Sequence, residues 1–179
     1  MHCDLNRFVE VHQRDYARAL QEVKNGRKRS CWMWYIFPQL RGLGFSATAQ
    51  QYGITGMEEA VQFLAHPYLG GHLREISEAL LELETNHATA VFGIPDDRKL
   101  QSSMTLFACV DGEDSVFARV LDKFFSGKPD DNTLTMLREA GVLIPPSVQE
   151  RGMTDEEKID RAAERILERY QSAFEELAK

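Results

Sequence analysis

Residues 5–26 read LNRFVEVHQRDYARALQEVKNG, and the spacing within them decides the fold class. Leu5, Phe8, Val9, His12, Tyr16, Ala19, Leu20 and Val23 recur at steps of three and four, which gathers them on one face of an α-helix that Gly26 stops. The exposed side of that helix carries Arg7, Arg14, Arg18 and Lys24. Thr55 followed by Glu58 forms a capping box ahead of a second helix through Val61, Phe63 and Leu64, which Pro67 must interrupt or end. From Tyr68 to Leu83 the helical period returns in Leu69, Leu73, Ile76, Leu80 and Leu81, despite Gly70 and Gly71 near its start.

The same pattern continues toward the C-terminus. A short segment from Ala88 to Phe92 ends at Gly93, and Asp96 or Asp97 is placed to cap a helix through Leu100, Met104, Leu106 and Phe107. Val116–Phe125 and Thr133–Glu139 fit further helices, closed by Gly127 and Gly141. Period-2 alternation is scarce, so the expected class is mainly α: a multi-helical single domain with a long C-terminal helix. The expected division is a helical domain over 1–141, a linker over 142–153 rich in Pro and Gly, and an amphipathic helix over 154–179. That last helix opens on a capping box, Thr154 with Glu157. Its Ile159, Ala163, Ile166, Tyr170, Ala173 and Leu177 trace a heptad seam. Fewer than four heptads is short for an independent coiled coil, which favours packing of the helix onto its own domain over homodimerisation.

The 179 residues suffice for one domain, and 43% hydrophobic with 27% charged residues gives a chain able to bury a core. Its 21 basic against 28 acidic residues leave a net charge of −7, which argues against a constitutive coat on DNA or membrane. The charge is uneven. Residues 7–41 hold eight Lys/Arg against three Asp/Glu, so a long polyanion is disfavoured while a small phosphorylated ligand stays open. Cys3, Cys31 and Cys109 are odd in number and lack CxxC spacing, as expected of a reducing, cytoplasmic setting. No apolar run approaches the roughly 18 to 20 residues of a membrane span. The histidines have no metal spacing, so neither a metal nor another cofactor is expected.

Gly26–Ile54 is the least ordinary stretch. Trp32, Trp34, Tyr35, Phe37 and Phe45 crowd into it, flanked by Arg27, Lys28, Arg29 and Arg41. Most buried aromatics are core, and that is the expectation for the two tryptophans, without barring one ring from a pocket. Arg41, Gly42, Gly44 and Ser46 follow. Flexible glycines let backbone N–H groups converge on an anion, Arg41 offers a planar fork to a phosphate, and Ser46 can cap a helix over Ala47–Gln51. An ordinary turn explains the glycines equally well. Gly42, Gly44 and Ala47 match a dinucleotide fingerprint, but no βαβ unit surrounds them.

A second cluster spans Pro95–Thr105. On a helix, Lys99 stands three and four residues from Ser102 and Ser103, so the ammonium and one hydroxyl can reach a common ligand. Asp96 or Asp97 is the candidate general base, although either is also explained as a cap. Neither serine sits in G-x-S-x-G, so a serine hydrolase is not supported.

Long strings of these residues resemble a bacterial family of unknown function. They include Trp32-Met33-Trp34-Tyr35-Ile36-Phe37-Pro38-Gln39-Leu40-Arg41-Gly42-Leu43-Gly44 and Lys99-Leu100 with Ser102-Ser103-Met104-Thr105-Leu106-Phe107, within a resemblance over about residues 5–141. The resemblance implies a multi-helical fold. Members commonly carry His before Trp-Met-Trp, where this chain has Cys31. Some are labelled calpastatin, a label at odds with a repeat-free, core-forming sequence. A more distant similarity, by fold and polar set alone, is to N-glycosidase domains that act on riboside phosphates and ADP-ribose conjugates.

The expected function is therefore binding of a small anionic ligand such as a nucleotide or sugar phosphate. Trp34 or Tyr35 would stack on a base, and Arg41, Gly42, Gly44, Ser46, Lys99, Ser102 and Ser103 would line the site. Whether the protein is an enzyme stays open. A hydrolase of an N-glycosidic bond would use Asp96 or Asp97. The rival expectation is a non-catalytic interaction or self-association module built on residues 154–179.

Overall fold

The computed structural model describes residues 4–177; His2, Cys3 and the last two residues of the expected C-terminal helix lie outside them. Among the described residues there are eleven helices and no strand, only an isolated parallel bridge between Leu40 and Ile54. The helices are α1 (Asn6–Lys24), α2 (Met33–Ile36), α3 (Ala47–Tyr52), α4 (Met57–Ala65), α5 (Pro67–Glu82) and α6 (Ala88–Phe92). They continue as α7 (Asp96–Asp111), α8 (Val116–Phe125), α9 (Asp131–Glu139), α10 (Pro146–Gln149) and α11 (Asp155–Leu177). None is long and apolar enough to cross a membrane.

α7 is the hub. It packs against α2, α4, α6, α8, α9 and α10, and Leu100, Met104, Leu106, Phe107 and Ala108 are all fully buried on it. A helix enclosed on so many sides shows little amphipathicity, which is why buried Ser102, Ser103 and Thr105 interrupt its apolar residues. Around it α1 lies along α5, and α5 meets α8. Lys123 of α8 donates to the carbonyls of Leu80, Leu81 and Leu83, giving the end of α5 its cation.

Helix ends follow local chemistry. α1 closes in a Schellman motif, with Gly26 N–H donating to Val23 O and Arg27 N–H to Glu22 O. Pro67 ends α4 and starts α5, while His66 Nδ1 accepts from the backbone of Tyr68 and Leu69. At that corner the first turn of α5 crosses the end of α4 so tightly that a Cβ on Gly70 would lie 2.0 Å from Leu64 O.

Several expectations shift. The carboxylate reaching back to the N–H and hydroxyl of Thr55 belongs to Glu59, and Gly56 is the residue that caps α4. Arg7, expected on the exposed side, is mostly buried because the enclosed Glu59 carboxylate takes its guanidinium at 2.8 Å. α7 begins at Asp96 with no side-chain cap. Between α9 and α11, Ile144 and Val148 are buried against the domain. The box between Thr154 and Glu157 forms as its spacing predicts, with Glu157 N–H donating back to Thr154 Oγ1. α11 does not lay its apolar stripe on the domain: Ile159, Ile166, Leu167, Tyr170 and Phe174 are each more than half exposed.

Candidate functional site

The aromatic run divides into core and cavity wall. Trp32 is fully buried, and its Nε1–H donates at 2.9 Å to Glu22, whose carboxylate also accepts from the N–H groups of Arg29 and Ser30 and from the Ser30 hydroxyl. Burial alone would raise this carboxyl; the converging donors outweigh it and hold Glu22 down at about 2. Tyr35 is likewise structural. Its hydroxyl lies 2.6 Å from Asp15 Oδ2, a carboxylate that also binds Arg14 and Arg18. Trp34, only partly buried, turns to the other side.

There it bounds a cavity of about 500 Å3 between the Gly44–Ala49 turn, the start of α7 and the start of α9. Gly44, Ser46, Lys99 and Ser102 line it with Trp34, so five sequence candidates from two distant segments meet. Lys99 Nζ stands 4.4 Å from the centre of the Trp34 ring and 2.7 Å from Asp96 Oδ1. Lys28 Nζ takes the other Asp96 oxygen, also at 2.7 Å. Burial opposes ionisation of Asp96, but the two ammoniums outweigh it and hold the carboxyl below its ordinary value. The resulting Lys28–Asp96–Lys99 triad carries one net positive charge at the cavity.

On the facing side, Ser102 Oγ donates to Asp130 Oδ2 at 3.2 Å, an oxygen that also caps α9 through the N–H and hydroxyl of Thr133. Asp130 N–H in turn donates to Thr105 Oγ1 at 2.8 Å. Thus Ser102 and Thr105 tie the loop before α9 to the hub helix. Asp130 Oδ1 carries no protein hydrogen bond among the described residues.

The remaining candidates lie elsewhere. Arg41 is exposed, makes its hydrogen bond through backbone N–H to Ile54 O, and does not line the cavity. Gly42 turns the chain at φ +108° beside Met136. Ser103 is fully enclosed, its hydroxyl without a partner. Asp97 accepts from the Thr89 hydroxyl at 2.6 Å and faces a separate cleft of about 340 Å3 with His87 and Gln101. Asp96 acts through Lys99 and does not line the cavity wall. Gln39, Arg98, Asp130 and Asn132 do line it and were not singled out from sequence. For Asp130 a signal existed in Asp130-x-x-Thr133, a capping spacing that starts α9 earlier than the apolar pattern does.

A second buried polar group joins α1 to α5. His12 is enclosed, with Nε2 at 2.8 Å from Tyr35 O and Nδ1 at 3.2 Å from His72 Nδ1. A carbonyl only accepts, so Nε2 carries the proton and Nδ1 accepts from His72. Burial lowers the His12 pKa to about 4, only partly offset by the bond to Tyr35. Among the described residues no group of three or more His, Cys, Asp or Glu is placed to hold a metal ion.

A family model described as a protein of unknown function, DUF1810, matches residues 2–137. No curated protein matches the chain. Among solved structures, a conserved hypothetical protein from Mycobacterium tuberculosis is similar at 42% identity and a TM-score of 0.73, over 75% of this chain and 96% of that one.

Proposed function

The chain belongs to the DUF1810 family of proteins of unknown function, and from that premise we propose that it binds a small anionic ligand, a nucleotide or sugar phosphate, in the Trp34 cavity. The observation that carries this reading is Lys99 held between Trp34 and Asp96. It sets a cation with net positive surroundings beside an aromatic face in an open cavity of about 500 Å3, within the range of small-molecule sites. Lys99 and Arg98 supply charge for a phosphate, Ser46 and Gln39 supply neutral hydrogen-bonding groups, and Trp34 offers an edge or face to a base or sugar. Arg41 has no part in this version of the site.

Hydrolysis of an N-glycosidic bond is the finer version of the reading. An oxocarbenium-like transition state needs a nearby carboxylate, and Asp130 is the carboxylate in the cavity wall; Asp96 is committed to two ammoniums. The test is a thermal-shift screen of adenosine 5′-monophosphate and ribose 5-phosphate on wild type, Lys99→Ala and Arg41→Ala. A ligand that binds only the folded state raises Tm. The reading requires a shift that Lys99→Ala removes and Arg41→Ala keeps; absence of any shift counts against it.

The uncovered stripe of α11 favours a second reading, self-association of two copies through residues 154–179. Ile159, Ala163, Ile166, Tyr170 and Ala173 keep heptad spacing, the pattern that matches one helix to another like it. Light scattering on the full chain and on Ile166→Asp tests it, and a monomeric wild type at all concentrations excludes it.

A further inference from the structure

Phe45 is 91% exposed and yet forms part of the wall of the Trp34 cavity. A single apolar side chain on a convex surface is ordinary, whereas a bare aromatic ring at the rim of a concave site is a surface that a ligand can cover. Its position is built. Gln50 Nε2 donates to Gly44 O at 2.7 Å on one side of it, and Ser46 Oγ accepts from Ala49 N–H at 3.1 Å on the other, so the backbone on both sides of Phe45 is tied to α3. A group held in place before binding loses little freedom when a ligand stacks on it.

The two rings of the cavity are not equivalent. Lys99 Nζ already stands over the Trp34 ring, 4.4 Å from its centre, which leaves Phe45 as the ring open for stacking. Beneath it lies Gln39. A Cβ on Gly44 would sit 2.8 Å from Ala49 Cβ and 3.4 Å from Gln39 Nε2, so the turn that carries Phe45 passes directly over the Gln39 amide. Gln39 is half-buried and lines both the cavity and a narrow recess that leads from it toward Phe37 and Tyr52. Its side chain makes no hydrogen bond among the described residues. An amide sets an acceptor beside a donor, which matches the adjacent donor and acceptor on a base edge, as in bidentate pairing with adenine N6 and N7.

The rest of the wall favours the same chemistry. Leu43, Ala49 and Pro95 join the two rings in lining it. A sugar phosphate carries hydroxyls around its ring, and pressing them against apolar side chains strips their water without replacing its hydrogen bonds. A nucleobase lays a flat face there and keeps its polar atoms at the edge.

We propose that Phe45 and Gln39 recognise a nucleobase, so that the ligand of the Trp34 cavity is a nucleotide and not a sugar phosphate. Phe45 stacks on the face of the base and Gln39 pairs with its edge, while Lys99 holds the phosphate. This rests on the reading of the Trp34 cavity as an anion site.

Calorimetric titration of the full chain with adenosine 5′-monophosphate and ribose 5-phosphate tests it. Wild type binds the nucleotide about tenfold more tightly, within what stacking of one base on an aromatic side chain provides. Phe45→Ala removes most of that advantage, and Gln39→Ala weakens nucleotide binding about fivefold, as loss of one hydrogen-bonding group does. Both leave ribose 5-phosphate affinity unchanged, Phe45→Trp keeps the advantage, and Lys99→Ala weakens both ligands. The Tm of Phe45→Ala stays at the wild-type value, because the ring is exposed. An advantage that survives one of the two alanine substitutions overturns that residue's role; equal wild-type affinities overturn base recognition altogether and leave the anion site standing. Nucleotide binding that depends on Phe45 and Gln39 but not on Lys99 sinks the anion site instead. No binding of either ligand sinks both.

Discussion

The Lys99 ammonium lies 4.4 Å from the centre of the Trp34 ring, the one tryptophan that faces a cavity. Trp32 is enclosed and bound to Glu22, and it meets the charged triad only through Lys28, 5.3 Å from its ring centre. An anion that draws Lys99 away from Trp34 therefore acts directly on one indole. Titration of adenosine 5′-monophosphate should alter wild-type fluorescence, and Trp34→Phe should abolish the change. A response that persists in Trp34→Phe assigns the signal to Trp32 and removes the optical case for the site.

Glu22 gives the core its acid sensitivity. Its folded pKa of about 2 lies below the ordinary 4.5, so its stabilisation is present above pH 4.5 and is lost as pH falls from 4.5 through 2. Glu22→Gln keeps the shape but cannot accept as strongly from Trp32 and the Arg29–Ser30 backbone. The expected cost at neutral pH is about 2 to 4 kcal/mol, in the range for breaking a buried charged network. Urea unfolding measures it, and the wild-type and variant stabilities should converge as pH approaches 2. A constant gap between pH 7 and pH 2.5 would show that packing, not charge, is lost.

His12 acts in a neighbouring window. Its folded pKa of about 4 is also below its ordinary 6.5, so the neutral ring stabilises the fold above pH 6.5 and that contribution is lost as pH falls from 6.5 through 4. At pH 5 the loss amounts to about 2 kcal/mol, since each unit of pKa difference is worth about 1.4 kcal/mol. His12→Gln retains a donor for the Tyr35 carbonyl and does not titrate. Its unfolding free energy should fall less than that of wild type between pH 7 and pH 5; parallel curves would refute the assignment.

What the sequence made legible follows from the range of the forces involved. Helix periods, the Thr154–Glu157 box, the Ser46 cap and the Pro67 break are local, and each is seen at the residue expected or within a few positions. The meeting of Gly44 and Ser46 with Lys99 and Ser102 was readable as two clusters but not as a distance, because α7 brings them together only through the packed core. Arg41 and Tyr35 misled for a related reason. Residue type suggested a ligand, whereas Tyr35 is consumed by Asp15 and Arg41 projects from the bridge that ties it to Ile54. Asp130 was masked by its capping role, which commits one oxygen and leaves the other without a protein hydrogen bond among the described residues. The uncovered stripe of α11 was the hardest to foresee, since a heptad pattern specifies that a helix needs a partner without saying which surface provides it.

Gly70 and Gly71 are indistinguishable in sequence, and the structure separates them. Both lie in α5, where glycine costs about 1 kcal/mol relative to alanine. A Cβ on Gly71 meets nothing within 4 Å, so Gly71→Ala should stabilise the protein by about 0.5 to 1 kcal/mol through reduced freedom of the unfolded chain. A Cβ on Gly70 would sit 2.0 Å from Leu64 O and 2.8 Å from its carbonyl carbon, backbone atoms that a rotamer change cannot move. Gly70→Ala should therefore force α4 and α5 apart and lower stability by more than about 2 kcal/mol, as overpacking at a rigid contact does. Thermal unfolding of the pair should displace Tm in opposite directions. Equal shifts would mean that the corner between Leu64 and Gly70 relaxes freely, and with it the close approach that seats α4 on α5.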